Sequence, residues 1–204
     1  MPKVGVLISG RGSNLQALID AIADGRLAAR IAVVISNKPG AGGLDRARAA
    51  GIETLTISHR DYSTRDAFDT AMASALVERR VRLVCLAGFM RLIGQPMLDA
   101  FPNAILNIHP SLLPAFPGTD AQAQAIAHGV KVSGATVHLV NGELDGGPIV
   151  LQASVEVCDD DTAESLSLRI LEQEHRLYPE AVCRVLEAGW RLVGRRFVRS
   201  VATG

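Results

Sequence analysis

The sequence contains few cysteines, three in 204 residues, at Cys85, Cys158 and Cys183. Because their number is odd and their spacing is wide, neither a zinc motif nor a disulfide framework is indicated. Cys85 lies inside an apolar run, so we expect it in the core. This cysteine usage is typical of a reducing, cytoplasmic environment, and we expect a site without a metal.

An excess of charge of either sign is also missing. Lysine and arginine number 21, as do aspartate and glutamate, so the formal net charge is zero. Broad binding to nucleic acid or to a membrane surface needs a basic excess, so we expect neither partner. The N-terminus lacks a signal-peptide pattern, and no apolar run is long enough to span a bilayer. The last sixteen residues hold four arginines and no acid, which we interpret as a solvated basic edge: Arg191, Arg195, Arg196 and Arg199.

Two common cofactor motifs are absent from the segment Ser9 to Asn14, which joins a predicted strand to a predicted helix. Leu15 stands where a dinucleotide fingerprint has its third glycine, and no Walker lysine follows, so a dehydrogenase is disfavoured. The small residues still allow backbone N–H groups to approach an anion at a helix N-terminus. The alternative is a tight turn in which Ser13 or Asn14 caps the helix.

A regular alternation of strand-length and helix-length segments is present. Apolar runs predict five strands, at Val4–Ile8, Ile31–Ile35, Glu53–Ile57, Leu83–Ala87 and Ala104–Ile108. Helical spacing predicts helices between them, at Asn14–Ala23, Gly43–Ala50 and Thr64–Glu78, the last capped by Ser63 or Thr64. Such alternation predicts an α/β fold with a doubly wound, mostly parallel sheet.

The pattern changes after residue 133. Two strands separated by a turn rich in glycine and aspartate, Ala135–Val140 and Ile149–Val155, predict an antiparallel portion of the sheet near the C-terminus. Asp161 to Glu164 resembles a capping box that opens a helix running to about Ala188 and bent at Pro179. Trp190–Val193 and Phe197–Val201 predict a terminal hairpin. Without repeats or linkers, residues 1–204 are expected to form a single domain.

Three polar side chains stand out at expected strand ends. Asn107 and His109 follow a buried strand and lie two residues apart, so in an extended segment they point to the same side. Asp145 lies in the turn between the two later strands. An amide and an imidazole can stabilise the oxyanion of an acyl transfer, and a carboxylate can pair with the imidazole and help remove a proton. Each residue alone has an ordinary structural alternative, such as a turn former.

With these residues the chain resembles phosphoribosylglycinamide formyltransferases, which move a formyl group from 10-formyltetrahydrofolate to the amine of glycinamide ribonucleotide in purine synthesis. The resemblance rests on segments spread over nearly the whole chain: 9–15, 86–91, 106–114, 137–138, 143–148 and 173–175. The 107–114 string with residues 145–148 is specific to folate-dependent formyl transfer. The first loop narrows it to the ribonucleotide enzyme.

The resemblance implies roles for individual residues and a Rossmann-like formyltransferase fold. The catalytic group is Asn107, His109 and Asp145. The ribonucleotide is held by Gly12, Ser13 and Asn14, which bind its phosphate, and by Glu174. The folate cleft is lined by Arg65, Met90, Arg91, Leu92 and Ile93, with a loop closing over the pteridine ring that contains Asn141, Gly142, Glu143 and Leu144. 10-Formyltetrahydrofolate is then a co-substrate, and the protein a monomer or homodimer.

Several of these residues have structural alternatives. Arg65 could be solvated on a helix face, Glu174 an exposed helical charge, and Met90 and Leu92 core residues. We expect His138 to support the site through a backbone contact. Departures from the family pattern at two positions near the ribonucleotide, Ala115 and Gln122, bear on affinity more than on reaction type.

Other functions remain to be weighed. Methionyl-tRNA formyltransferase would bring a further C-terminal domain and usually a basic surface, and formyltetrahydrofolate deformylase a further N-terminal domain. The 204 residues and the zero net charge favour the ribonucleotide enzyme over both. A nucleotide-sensing binding module would have no need of Asn107, His109 and Asp145 together.

Overall fold

The computed structural model describes residues 1–199. The first part of the chain alternates strands and helices as expected, with these bounds: β1 (Lys3–Ile8), α1 (Ser13–Ala23), β2 (Arg30–Ser36), α2 (Gly42–Ala49), β3 (Thr54–Thr56), α3 (Arg65–Glu78), β4 (Leu83–Leu86), α4 (Gln95–Ala100) and β5 (Ile105–His109). The second part contains the remaining elements: α5 (Ala121–Ala127), β6 (Val132–Leu139), β7 (Ile149–Glu156), α6 (Ala163–Leu186), β8 (Trp190–Val193) and β9 (Arg196–Arg199).

All of these strands join one nine-stranded sheet in the order β3-β2-β1-β4-β5-β6-β7-β9-β8. The first five strands along the chain pair in parallel, whereas β6 is antiparallel to both β5 and β7. The predicted fold class, a mostly parallel sheet with an antiparallel portion near the C-terminus, is confirmed. The chain leaves β1 first towards β2 and later towards β4, so the strand order reverses between β1 and β4. Ligands of such sheets bind beyond the strand ends at this point.

The two faces of the sheet are covered differently. One face packs against α1, α2, α5 and α6, whose buried residues form one core cluster. The other face packs against α3 and α4 through a second cluster that includes Phe68 and Met97. In β5, Leu106 and Ile108 belong to the first cluster and Ile105 to the second. Because side chains alternate along a strand, Asn107 and His109 lie on the same face as Ile105.

Several element bounds differ from the sequence-based predictions. The capping box of α6 uses Thr162 and Ser165, one residue later than predicted, because the Thr162 hydroxyl accepts from the Ser165 N–H. The short helices α4 and α5, of six and seven residues, were not predicted. The hairpin of β8 and β9 is confirmed as far as Arg199; Ser200 and Val201 lie outside the described residues.

Candidate active site

The loop after β1 leaves the N-terminus of α1 open to a ligand. Gly12 is the N-cap residue in a left-handed conformation, with φ of 72°, and no side chain among residues 1–199 caps this helix end. The alternative in which Ser13 or Asn14 is the cap is therefore wrong, since both belong to the helix. Uncapped first-turn N–H groups and the helix dipole together favour an anion at this position.

Close packing against α2 explains the glycine at position 12. A Cβ atom on Gly12 would lie 2.6 Å from the Cα atom of Gly43, and its φ is one that other residues rarely adopt. The Gly43 N–H also donates to the carbonyl of Gly10 at 3.0 Å. The loop is thus fixed against α2, which keeps its backbone N–H groups oriented before any ligand arrives.

Glu174 of α6 meets this loop from the side. It is buried, with 7% of its surface exposed, so its interpretation as an exposed helical charge is wrong. The Asn14 side-chain amide donates to Glu174 Oε2 at 2.7 Å. Burial raises the pKa of Glu174, and the Asn14 hydrogen bond partly opposes this. A buried carboxylate with one such partner is a typical feature of a ligand site.

The segment after β4 presents the apolar side chains expected of a cleft. Met90 and Leu92 are 71% and 56% exposed, so they are not core residues, whereas Ile93 is buried. The Met90 N–H donates to Ser9 Oγ at 2.8 Å. Ser9 Oγ in turn donates to Asn37 Oδ1 at 2.6 Å. This buried hydroxyl joins the loop after β1 to the segment after β4 and fixes the distance between them.

A buried carboxylate that the sequence did not point to, Asp69, fixes the end of this segment. Its Oδ2 atom accepts from the Gly94 N–H at 2.6 Å and lies 3.8 Å from Nε of Arg65. Burial raises the pKa of Asp69, and the Gly94 N–H and the Arg65 charge oppose the rise.

Arg65, at the start of α3, is about half exposed. The Arg91 guanidinium lies over the ring of Phe68 at 5.7 Å. Arg65 therefore lies next to the predicted folate segment, to which Arg91 belongs.

The loop from Asn141 to Leu144 follows β6 and is largely exposed, with Leu144 56% exposed. Its start is ordered by the Asn141 side chain, whose Oδ1 accepts from the Glu143 N–H at 3.0 Å. Gly147 lets the chain return close to β6, because a Cβ atom there would overlap the carbonyl oxygen of Leu139. The loop thereby delivers Asp145 to the face of the sheet that carries Asn107.

The three predicted catalytic side chains lie together. His109 Nδ1 is 3.5 Å from Asp145 Oδ2, and Asn107 Nδ2 is 3.5 Å from Asp145 Oδ1. His109 and Asp145 are mostly buried, with side-chain exposures of 6% and 10%. Asn107 and His109 belong to β5 itself instead of following it, which places them on a rigid strand. The expectation that they point to the same side agrees with this geometry.

Hydrogen bonds define the orientation of His109. Its Nε2 atom lies 2.8 Å from the carbonyl oxygen of Phe116, which can only accept, so Nε2 carries a proton. Its Nδ1 atom faces the carboxylate of Asp145. These two contacts fix the orientation of the His109 ring, with Nδ1 towards Asp145.

His138 of β6 holds the Asn107 amide from the neighbouring strand, since the two residues pair in register. The His138 Nδ1 atom lies 3.0 Å from the Leu139 carbonyl oxygen and must donate to it, which is the backbone contact that we expected. In the neutral ring Nε2 then accepts, and it lies 3.2 Å from Asn107 Nδ2. One N–H of Asn107 is therefore occupied, while the other points at Asp145 over a long 3.5 Å and is free to turn to a ligand.

Asp145 is held as an anion. Burial would raise its pKa, but the His138 side chain, the Gly118 N–H and the charge of His109 together lower the pKa of Asp145 below its ordinary value. The Gly118 N–H donates to Oδ2 at 2.8 Å. The residue has a left-handed backbone with φ of 49°, which is unfavourable for a residue with a Cβ atom. The surroundings hold Asp145 in place against this cost.

Some functional contacts were beyond sequence reasoning. The Phe116 carbonyl and the Gly118 N–H act through the backbone, which leaves no residue-type signal. Ser9 and Asp69 are single polar residues in ordinary contexts. The sequence signal for Asp69 was its place on the apolar side of a helix, four residues after Arg65.

The described residues show neither a metal-binding group nor a membrane-spanning helix. Within residues 1–199, no three or more histidine, cysteine, aspartate or glutamate side chains are grouped as a metal would require. None of the helices in this same range combines the length and the apolar character needed to cross a membrane.

Comparison with known proteins places this site in context. The formyl transferase family matches residues 2–182. The chain is 41% identical over 186 residues to a phosphoribosylglycinamide formyltransferase of Bacillus subtilis, covering 91% of this chain and 95% of that protein. It is 48% identical over 190 residues, 93% of this chain, to the bovine trifunctional purine biosynthetic protein adenosine-3, but spans only 19% of that protein.

A solved structure gives the same result. The crystal structure of glycinamide ribonucleotide transformylase 1 from Symbiobacterium toebii superposes with a TM-score of 0.96 at 55% identity, covering 98% of this chain and 94% of that one. The resemblance inferred from the sequence motifs is confirmed by these matches.

Proposed function

The chain belongs to the formyl transferase family, as do the phosphoribosylglycinamide formyltransferases that it matches, and from this premise we propose that it transfers a formyl group from 10-formyltetrahydrofolate to the amine of glycinamide ribonucleotide. The reaction belongs to purine biosynthesis. The observation that carries the proposal is the meeting of Asn107, His109 and Asp145 at one point of the sheet.

The ribonucleotide binds with its phosphate on the N–H groups of Gly12, Ser13 and Asn14. The uncapped N-terminus of α1 supports this placement. Glu174, buried beside Asn14, accepts hydrogen bonds from ribose hydroxyls or from the amine end. The phosphorylated end of the substrate is thereby held apart from the reacting amine.

The folate binds on the segment after β4, where Met90, Leu92 and Ile93 contact the pteridine ring and backbone groups read its edge. The loop Asn141, Gly142, Glu143 and Leu144 closes over the ring, and Arg65 and Arg91 lie beside the rest of the molecule. The Ser9 hydroxyl connects this segment to the phosphate loop, which supports simultaneous binding of both substrates.

Transfer then occurs directly within the ternary complex. The amine nitrogen attacks the formyl carbon, forming a C–N bond and a tetrahedral oxyanion. Asn107 donates to this oxyanion, and the protonated His109 donates through its Nδ1–H, which faces Asp145 over a long 3.5 Å before the substrates bind. Each such donor is worth about 3 kcal/mol. Asp145 accepts the amine proton, directly or through a water. The oxyanion then collapses to the new formamide, the bond from the carbon to N10 of the folate breaks, and N10 receives that same proton from Asp145.

A formyl-enzyme intermediate is not part of this proposal. The hydroxyl nearest to the group in sequence is that of Ser111, and it donates to the Ala115 carbonyl at 2.5 Å. A hydroxyl that donates a hydrogen bond to a carbonyl oxygen, without a base to remove its proton, is a poor nucleophile.

The proposal extends to the domain organisation, location and partners of the protein. Residues 1–204 act as one formyltransferase domain in the cytoplasm, as a monomer or homodimer. The partners are the ribonucleotide and the folate donor, without a metal, a nucleic acid or a membrane.

The test is an absorbance assay with 10-formyltetrahydrofolate and three acceptors: glycinamide ribonucleotide, charged initiator tRNA and water. We expect turnover with the ribonucleotide and background rates with the other two. A fourth arm omits any acceptor and measures the mass of the protein, which should not change. Preferred turnover with tRNA or water, or a mass gain of one formyl group, would contradict the proposal.

A further inference from the structure

The terminal hairpin of β8 and β9 lies beyond residue 182, where the family match ends. It is attached to the sheet next to the active site, because Arg196 of β9 pairs with Ile149 at the start of β7. Ile149 follows Asp145 by only four residues. The hairpin is therefore placed to influence the turn that presents Asp145.

One side of that turn faces open space instead of packed side chains. A cavity of about 720 Å³ lies between the turn, the loop after β5 and the hairpin, and Asp145 forms part of its wall. The apolar residues on its walls include Leu113, Pro114, Pro117, Leu144, Ile149 and Phe197. Since atoms facing an open cavity gain no dispersion contacts there, the turn needs other interactions to stay in position.

Arg195, at the tip of the hairpin, supplies such interactions. Its Nη1 atom donates to Glu143 Oε2 at 3.1 Å, and its Nη2 atom donates to the carbonyl oxygen of Gly146. The two partners lie on either side of Asp145. The planar guanidinium of Arg195 thus forms hydrogen bonds on both sides of Asp145.

The backbone conformation of the turn explains why these two hydrogen bonds matter. The Gly146 N–H returns to the Glu143 carbonyl at 3.3 Å, which closes a tight turn around Asp145 with its left-handed φ of 49°. The strained conformation persists only if the surroundings hold it. A change in this backbone conformation would shift the carboxylate relative to His109, from which it is 3.5 Å distant.

We propose that Arg195 is a positioning residue for formyl transfer, which holds the Glu143–Gly146 turn so that Asp145 stays within reach of His109. This inference rests on the proposed function, because it concerns the same reaction. It gives the terminal hairpin, predicted from sequence to be only a solvated basic edge, a role in the active site.

The expected effect is moderate. Arg195 and Glu143 have side-chain exposures of 70% and 64%, so water screens their attraction. We expect Arg195→Ala to lower kcat about fivefold, which corresponds to about 1 kcal/mol. The KM for glycinamide ribonucleotide should not change, since the phosphate loop is on another part of the sheet.

The matched control is Arg199→Ala, which removes an arginine of the same hairpin whose partner is Glu187, away from the turn. The experiment measures kcat, KM and melting temperature for the wild type and both variants. A loss of kcat in Arg195→Ala that Arg199→Ala does not share, at equal melting temperatures, supports the proposal. Equal kcat in the two variants would overturn it.

Two further comparisons sharpen the test, and the first applies even if Arg195→Ala is unstable. Arg195→Lys retains the charge but lacks the fork, so its kcat should be intermediate. The double variant Arg195→Ala/Glu143→Gln should lose less kcat than the losses of the two single variants combined, because both substitutions remove the same contact. Strictly additive losses would contradict this role of Arg195. An inactive wild type would instead refute the proposed function, which separates the two failures.

Discussion

Glu174 illustrates how single residues of this site are placed for ligand binding at a cost in stability. Burial disfavours its charged form, and Asn14 gives it one hydrogen bond. The pKa of the Glu174 carboxyl is higher in the folded protein than in the unfolded chain. Its contribution to the free energy of unfolding is therefore fully present below the unfolded-state pKa and is lost as the pH rises through the folded-state pKa. Around neutral pH the carboxylate therefore weakens folding.

We expect Glu174→Gln to raise the melting temperature at pH 7.5, while the affinity for glycinamide ribonucleotide falls by about tenfold or more, as for the loss of a charge-assisted hydrogen bond. The gain in melting temperature should shrink as the pH is lowered towards 4, because the wild-type carboxyl then becomes neutral. Calorimetry at several pH values measures both quantities. The exposed neighbour Glu172 provides the control variant Glu172→Gln, and matching behaviour of the two variants would refute the role of Glu174.

At this scale the sequence was informative where chemistry and spacing coincide. Asn107 and His109 were predicted to share a side because they are two apart on a strand. The contact between His109 and Asp145 joins residues that are far apart in sequence, so no local sequence pattern predicts the distance between their side chains. The carbonyl of Phe116 and the N–H of Gly118 complete the group, and backbone atoms of a loop are invisible to residue-type reasoning.

Among the elements, α6 has the strongest local start signal. The Thr162 hydroxyl accepts from the Ser165 N–H at 3.2 Å, and the Ser165 hydroxyl accepts from the Thr162 N–H at 3.0 Å. This helix carries Glu174 and also Tyr178, whose hydroxyl donates to the Leu86 carbonyl at 2.9 Å. The position of the helix therefore affects the site as well as the core.

We expect Thr162→Ala to lower the free energy of unfolding by about 1 kcal/mol, because first-turn N–H groups lose their partner. Urea denaturation measures the change. Glu172→Ala, an exposed substitution inside the same helix, should stay within about 0.5 kcal/mol of the wild type. An unchanged stability of Thr162→Ala would show that solvent replaces the cap at no cost.

The elements that sequence reasoning missed are short. α4 and α5 have six and seven residues, too few for two full repeats of an apolar stripe. The cap of α6 was placed one residue early because Asp161, Thr162 and Ser165 are all plausible capping residues. Long periodic segments such as α3, with its Thr64 cap, matched the expectation.

For the whole molecule, the site follows from an imbalance in how the sheet is covered. Helices α3 and α4 cover one face over the first strands only, and the loops after β5 and β6 cover the rest of that face. Polar side chains of β5 and β6 can face these loops without being buried in an apolar layer. The parallel part of the sheet was predictable from β-α alternation, whereas the folding of two long loops over one face depends on tertiary contacts.

The central claim is that Asp145 and His109 act on the reacting groups and not on substrate binding. Its most direct test is the single-turnover rate constant of Asp145→Asn with both substrates saturating, next to the calorimetric affinity for glycinamide ribonucleotide. We expect the rate constant to fall about a hundredfold or more, as for the loss of a general base, with the affinity nearly unchanged. A rate constant close to that of the wild type, or a large loss of affinity in its place, would contradict the account.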